Sequence, residues 1–345
     1  MSNKKLSVCI IGASGYTGVE CYRLLLQHPN IKSISLVANS NVGMQLSALY
    51  SSFDGSRHDA NLLSIEAIDF KTTDVVFCCL PHAQSQKIIL DLYKNYEHLK
   101  IIDLSADFRL NDTKVYESVY GTKHLSPSLQ ASDVAYGLSE LVSKDELKQK
   151  RIIACPGCYP TSIIIPLKPL LQEGLIDSQG IIADSKSGIS GAGRKDAVQF
   201  LFTERSDNIK AYSIFNHRHT PEINEKLGVN IVFTPHLVPI IRGIESTIYA
   251  RLTPLGYKTN IHNFLTDFYK GHQFVKTSLK PPSTADVKGT NNIKIHAEQQ
   301  GQMLVMSSVI DNICKGSSGQ AVQNMNLAFG FDETTGLSHL SALPV

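Results

Sequence analysis

The chain has 345 residues, 42% of them hydrophobic and 19% charged, with a net charge of +2. That length suits about two domains, and the composition is that of an ordinary globular protein. So small a net charge gives no reason to expect nucleic acid or membrane binding, and no run approaches the ~20 apolar residues that span a bilayer.

The apolar run after Lys5 breaks at Gly12, so no signal peptide is expected. The odd, scattered set of seven cysteines then reads as free thiols of a cytoplasmic protein. Leu6 to Ile11 is a short apolar strand of the kind buried in a parallel sheet. Gly12-Ala13-Ser14-Gly15-Tyr16-Thr17-Gly18 follows at once, and a helix from Gly18 to Gln27 ends near His28-Pro29. Strand, glycine turn and helix in that order are the context a dinucleotide fingerprint requires, with the pyrophosphate at the helix N-terminus. Gly12, Ser14, Gly15, Tyr16, Thr17 and Gly18 are therefore candidate cofactor contacts. The next strand, Ser33 to Ala38, ends at Asn39-Ser40-Asn41, where the adenosine ribose is expected. With no carboxylate there to repel a 2′-phosphate, the segment favours NADP and makes Ser40 a contact, although no arginine is adjacent.

Asp74 to Leu80 and Lys100 to Leu104 read as further buried strands, with a helix from Gln84 to Tyr93 between them. Pro81-His82 lies just past a strand's carboxyl end, and His82 reads as a loop residue near the cofactor. Asp103 to Arg109 leaves the next strand end. It is either a solvated loop or, through Arg109, an anion contact.

Arg151 to Ala154 is a short strand before Cys155-Pro156-Gly157-Cys158-Tyr159-Pro160-Thr161. Proline suits the first turn of a helix, which sets Cys158 at the positive end of the helix dipole, where a thiol ionises more readily. Cys155 and Cys158 also form a Cys-x-x-Cys, open to reading as a redox pair or half of a metal site. The chain has no second such motif, and no metal is expected. An activated cysteine and a nicotinamide site in one chain point to aldehyde-level redox chemistry through a thioester.

These motifs closely resemble those of the N-acetyl-gamma-glutamyl-phosphate reductases of the semialdehyde dehydrogenase superfamily, nearly end to end. The resemblance runs through Gly12 to Gly18, Leu80-Pro81-His82, Asp103 to Arg109, Cys155 to Thr161 and Ser187 to Arg194. It continues through His217 to Ile223, Thr234 to Pro239 and Lys315 to Asn324. Family members more often carry Asn at the position of Cys155, which makes this cysteine dispensable.

The resemblance implies NADPH-dependent reduction of a small acyl phosphate to an aldehyde, a step toward arginine, without metal. Cys158 is its nucleophile. His219, with His217 close behind, is its acid/base, and Glu222 orients the imidazole. Arg109 and Arg194 are the substrate's cationic anchors. Ser187, Gly188, Gly191 and Asn324 lie at the cofactor, and His236 is structural. Lys186 and Lys195 are read as solvated charges flanking the Ser187 loop.

The implied fold is α/β. A Rossmann-type NADP-binding domain spans 1–157 and is completed by 316–345. An α+β catalytic and dimerisation domain, 158–315, carries a largely antiparallel sheet and builds a homodimer or homotetramer. Strands are expected at 231–233, 245–252 and 303–310, a helix at 320–329, and a mobile loop at 277–292. Aspartate-semialdehyde dehydrogenase chemistry, a carrier-linked acyl-phosphate reductase and a non-catalytic nucleotide sensor are the alternatives.

Overall fold

The computed structural model describes residues 5–194, 198 and 201–341. It falls into two compact units: residues 5–156 with 317–337, and residues 157–316 with 338–341.

In the first unit, β1 (Leu6–Ile11), α1 (Tyr16–Leu25), β2 (Ile31–Val37), β3 (Val75–Cys78), α2 (Ser85–Asn95) and β4 (Lys100–Asp103) alternate. They are followed by α3 (Thr113–Tyr120), α4 (Pro127–Asp133), β5 (Val134–Tyr136), α5 (Lys144–Gln149) and β6 (Ile152–Ala154). The strands form one parallel sheet in the order β2-β1-β3-β4-β6-β5. Helices cover such a sheet, so its strands carry few polar side chains: Val76, Cys78, Ile101, Ile152 and Ala154 share one core with Ile89, Leu92 and Phe108. The C-terminal helix (Gly319–Phe329) joins this unit, and its Leu327 packs with Leu147 and Ile153.

The second unit begins with α6 (Cys158–Gln172), whose Ile163, Ile164 and Ile165 are all buried, each worth roughly 1.5–3 kcal/mol. Pro169 cannot donate to the Ile165 carbonyl, and the Tyr269 hydroxyl takes that place at 2.6 Å. After α6 come β7 (Ile182–Ser187), α7 (Phe202–Arg205), β8 (Lys210–Ala211), α8 (Thr220–Leu227), β9 (Val232–Leu237) and β10 (Ile244–Arg251). Then follow α9 (Pro254–Tyr257), α10 (Ile261–Phe268), β11 (Val275–Ser278), β12 (Ile293–Gln300) and β13 (Met303–Ile310). The sheet, β11-β12-β13-β10-β7-β9-β8, is mixed and mostly antiparallel, with parallel pairs β11–β12 and β7–β9. On β10 the even-numbered residues face α6, where Ser246 bonds Ser162 and Ser185. The opposite face carries Ile182, Tyr249 and Val305 side by side in register, each more than a third exposed.

Two expectations are corrected. Residues 277–292 are not a loose loop. Thr277 and Ser278 belong to β11, a capping box at Ser283 and Asp286 starts a short turn, and Thr290 and Asn291 are fully buried. Residues 338–341 group with the second unit rather than completing the first: the His339 ring stacks on Phe274 at 4.9 Å, and its carbonyl accepts from Asn292.

Candidate active site

The glycine turn of the first unit is shaped by close backbone approach. Gly12 has φ +86, and a Cβ there would sit 2.5 Å from the Cys79 carbonyl oxygen; a Cβ on Gly18 would sit 2.4 Å from the Gly12 oxygen. Neither position tolerates a side chain. Gly15 caps α1 in extended conformation, offers no side chain to the first turn, and no acidic residue lies in that turn. Such a helix N-terminus favours an anion. The Ser14 and Thr17 carbonyls accept from Tyr50 and Ser318, which fixes the turn from two sides, while Tyr16 is exposed. Ser40 stands exposed beyond β2 among Asn39 and Asn41, with no carboxylate from 38 to 46. The cradle that a Cβ would fill fits the dinucleotide expected from sequence.

Asn324, expected at the cofactor, is fully buried. Its amide donates to the Gly137 carbonyl (2.8 Å) and the Cys155 sulfur (3.6 Å), and its oxygen accepts from Ser139. It cements the C-terminal helix to the 137–139 turn. Nor is Asp103 to Arg109 a solvated loop, since Asp103, Ser105, Asp107 and Arg109 are all buried. Arg109 Nε donates to the Cys155 carbonyl at 2.7 Å and Nη2 to the Leu104 carbonyl at 2.9 Å. It therefore ties two strand ends together, a task the anion-contact expectation did not include.

In the second unit Cys158 is the first residue of α6 and is partly exposed, with Gly157 as its cap. A helix start of this kind stabilises a thiolate. Gly316 backs it so closely that a Cβ on Gly316 would fall 2.7 Å from the Cys158 Cβ. Cys155, in the first unit, is buried, and burial pushes its thiol up to about 12. That is unsuited to thiol exchange.

His217, His219 and Glu222 cluster at the start of α8, beside the first turn of α6. The Tyr159 ring, next in sequence to Cys158, lies edge-on to His217 at 5.6 Å and near His219 at 6.0 Å; the two imidazoles are 4.9 Å apart. His217 Nδ1 accepts the His219 N–H at 3.1 Å, so the neutral ring carries its proton on Nε2. Burial, helped by the Arg218 charge, pushes His217 down to about 4. Glu222 Oε1 accepts the Gly157 N–H at 2.9 Å, holding the residue before the nucleophile.

Tyr159 and Tyr212 share a hydroxyl contact at 3.2 Å, and burial pushes Tyr212 up to about 12. Neither tyrosine was singled out from sequence. Tyr159 lies inside the cysteine motif, whereas nothing local to Tyr212 signals its place.

Ser187 ends β7, buried, its hydroxyl on the Gly188 carbonyl. A Cβ on Gly188 would meet the Ile241 carbonyl oxygen at 2.7 Å, so backbone packing alone requires that glycine; Gly191 lies just beyond Ser187. Arg194 is exposed after Gly193, and Lys195 lies outside the described residues. Lys186 is not merely solvated, because it pairs with Asp184 at 2.9 Å and Glu245 at 3.6 Å. His236, on β9, lies 3.4 Å from Asp184 and accepts the Tyr159 hydroxyl on its carbonyl. Among the described residues no group of three or more His, Cys, Asp or Glu is arranged to hold a metal, and no helix is long and apolar enough to cross a membrane.

Two family models divide the chain between them: "Semialdehyde dehydrogenase, NAD binding domain" matches residues 7–150 and "Semialdehyde dehydrogenase, dimerisation domain" matches 158–312. Aspartate semialdehyde dehydrogenase II of Vibrio cholerae shares the fold at a TM-score of 0.71 and 16% identity, over 95% of this chain and 99% of that one. The class is thus an oxidoreductase with a nucleotide-binding and a dimerisation part. The N-acetyl-gamma-glutamyl-phosphate reductase of Bordetella avium is 42% identical over 99% of both chains. The protein named probable N-acetyl-gamma-glutamyl-phosphate reductase, chloroplastic, of Arabidopsis thaliana is 41% identical over 99% of this chain and 86% of its own. The chain belongs to the semialdehyde dehydrogenase family and, within it, to the N-acetyl-gamma-glutamyl-phosphate reductases.

Proposed function

We propose that this enzyme reduces N-acetyl-gamma-glutamyl phosphate to N-acetylglutamate semialdehyde with NADPH, through a thioester on Cys158, in arginine biosynthesis. The observation that carries the reading is the second unit's cluster: a partly exposed cysteine at a helix N-terminus beside two histidines two residues apart. Support for NADP over NAD comes from Asn39-Ser40-Asn41, which offers a 2′-phosphate no opposing carboxylate. The turn from Gly12 to Gly18 is the part of the chain that holds the pyrophosphate.

The Cys158 thiolate attacks the acyl carbon, and the C–O bond to phosphate breaks as the C–S bond forms. When bound, NADPH supplies the hydride that converts the thioester carbon to the thiohemiacetal level. His219 delivers a proton to the resulting oxyanion and recovers it as the C–S bond breaks, releasing aldehyde and thiolate. His217, kept neutral by burial, positions His219 through the Nδ1 contact. Glu222 fixes Gly157 and so the aim of the helix start. Arg194 binds an anionic end of the substrate, and Arg109 ties the ends of β4 and β6 together within the nucleotide-binding unit. The open face carrying Ile182, Tyr249 and Val305 is the surface on which two copies pair.

The reverse reaction tests the proposal: NADPH formation from N-acetylglutamate semialdehyde, NADP and phosphate, with aspartate semialdehyde alongside. Phosphate-dependent turnover of the acetylated aldehyde, lost in Cys158→Ser, is expected. Preference for aspartate semialdehyde, or activity surviving that substitution, contradicts it.

A further inference from the structure

The order of strands in the first unit's parallel sheet reverses at β1: the chain passes to β2 on one side and then crosses to β3 on the other. A crevice opens beyond the carboxyl ends of the strands at such a switch point, and a dinucleotide lies across it. One wall here is the glycine turn after β1. The other is the segment after β3, from Cys79 to Gln84. The two walls meet where a Cβ on Gly12 would touch the Cys79 carbonyl.

Asp107 fixes the shape of the second wall. Its buried carboxylate accepts the Ala83 N–H at 2.6 Å, the Ser85 N–H at 3.0 Å and hydroxyl at 2.7 Å, the Gln86 N–H at 3.2 Å and the Tyr116 hydroxyl at 2.9 Å. Ala83 is thereby held at φ +67, a left-handed conformation that a residue with a Cβ adopts only when its surroundings over-determine it. Strain of this kind clusters at ligand sites. The neighbouring His82 accepts the Ala106 N–H on Nδ1 at 2.9 Å, which puts the proton of its neutral ring on Nε2. Its ring lies 5.6 Å from that of Tyr120.

We propose that His82 is a cofactor-binding residue whose Nε2–H donates to the nicotinamide-riboside half of the dinucleotide, and that Asp107 is the positioning residue that holds the His82 loop. The order of the walls assigns the half. The adenosine end belongs beyond β2 at Asn39-Ser40-Asn41, the pyrophosphate at the β1 turn, and the remaining half therefore meets the segment after β3. The inference rests on the reading of this unit as the NADP site.

Calorimetric titration of the full-length protein with NADP and with 2′,5′-ADP, which lacks the nicotinamide riboside, separates the two readings. His82→Phe keeps a ring beside Tyr120 and removes the N–H. It is expected to weaken NADP about tenfold, the worth of one hydrogen bond, while 2′,5′-ADP stays within about twofold. His82→Gln, which restores a donor, recovers part of the loss. In Asp107→Asn the long-range 1H–15N spectrum of His82 loses its single Nε2–H tautomer, a change that general destabilisation would not produce. Unchanged NADP affinity in His82→Phe overturns the proposal, as does equal weakening of both ligands. Failure of the wild-type protein to bind either ligand overturns the underlying reading itself.

Discussion

Replacing Gly316 with alanine places a methyl group in space that Cys158 already fills. Its Cβ would lie 2.7 Å from the Cys158 Cβ, 3.2 Å from the Cys158 Cα and 3.2 Å from the Ile310 Cδ1. Carbon atoms settle at about 3.5–4.0 Å, so the overlap with the Cys158 Cβ is roughly 1 Å. Ile310 can rotate its terminal methyl aside. Cys158 cannot, because its Cβ is anchored on the first residue of a fifteen-residue helix whose cap is tied to Glu222. Gly316 has no positive φ, so backbone strain plays no part in the effect. Overpacking of this kind costs about 1–3 kcal/mol of stability, and a nucleophile displaced by ~1 Å loses on the order of 100-fold in rate. The assay is kcat for the reverse reaction, with a urea unfolding curve on the same protein. A large fall in kcat with a small shift in unfolding midpoint is expected. Wild-type kcat in the folded Gly316→Ala protein would refute the packing argument.

Cys158→Ser should lower kcat at least about a thousandfold, whereas Cys155→Ser, at a buried and un-ionised thiol, should retain activity. Equal losses in steady-state assays would revive the Cys-x-x-Cys redox reading. His217 is held at about 4 against an ordinary value near 6.5. The unfolded chain thus takes up a proton first, and about 3 kcal/mol of stability is lost as pH falls from about 6.5 to 4. Urea midpoints across that window should fall less steeply in His217→Gln; an unaltered slope counts against a buried neutral ring. Asp103 is pushed up to about 7 by burial and then by Asp107, so its ionisation weighs against the fold as pH rises from about 4 to 7. Asp103→Asn keeps an acceptor for the Ser105 N–H and should melt higher than wild type at about pH 8, but not at about pH 4. A lower melting temperature at the higher pH would contradict this.

Strands and the nucleotide turn are legible because their signals are local. Met303 to Ile310 is an apolar run bounded by Gly301 and Asp311, and the structure gives it those limits. Gly12 and Gly18 announce themselves by spacing after a strand, and the contacts that require glycine are made with Cys79 and with Gly12 itself. What sequence could not supply is the partner of a polar side chain. Glu222 bonds Gly157, Asn324 bonds Gly137 and Cys155, and Asp107 gathers donors from the start of α2. Each pairing joins segments far apart in the chain, and no periodicity encodes it. The same holds for residues 277–292, where two prolines suggest a loop but Asp311, on the far side of β13, fixes Gly289. A motif places a residue in a functional region. Whether that residue touches the ligand or braces the region depends on contacts only the fold brings together.

Mass spectrometry of the enzyme mixed with N-acetyl-gamma-glutamyl phosphate and no NADPH reads out the covalent step itself. The mechanism predicts release of phosphate together with an N-acetylglutamyl thioester on the Cys158 peptide, which disappears when NADPH is added. An adduct on another residue, or turnover on adding NADPH with no adduct at Cys158, would contradict it.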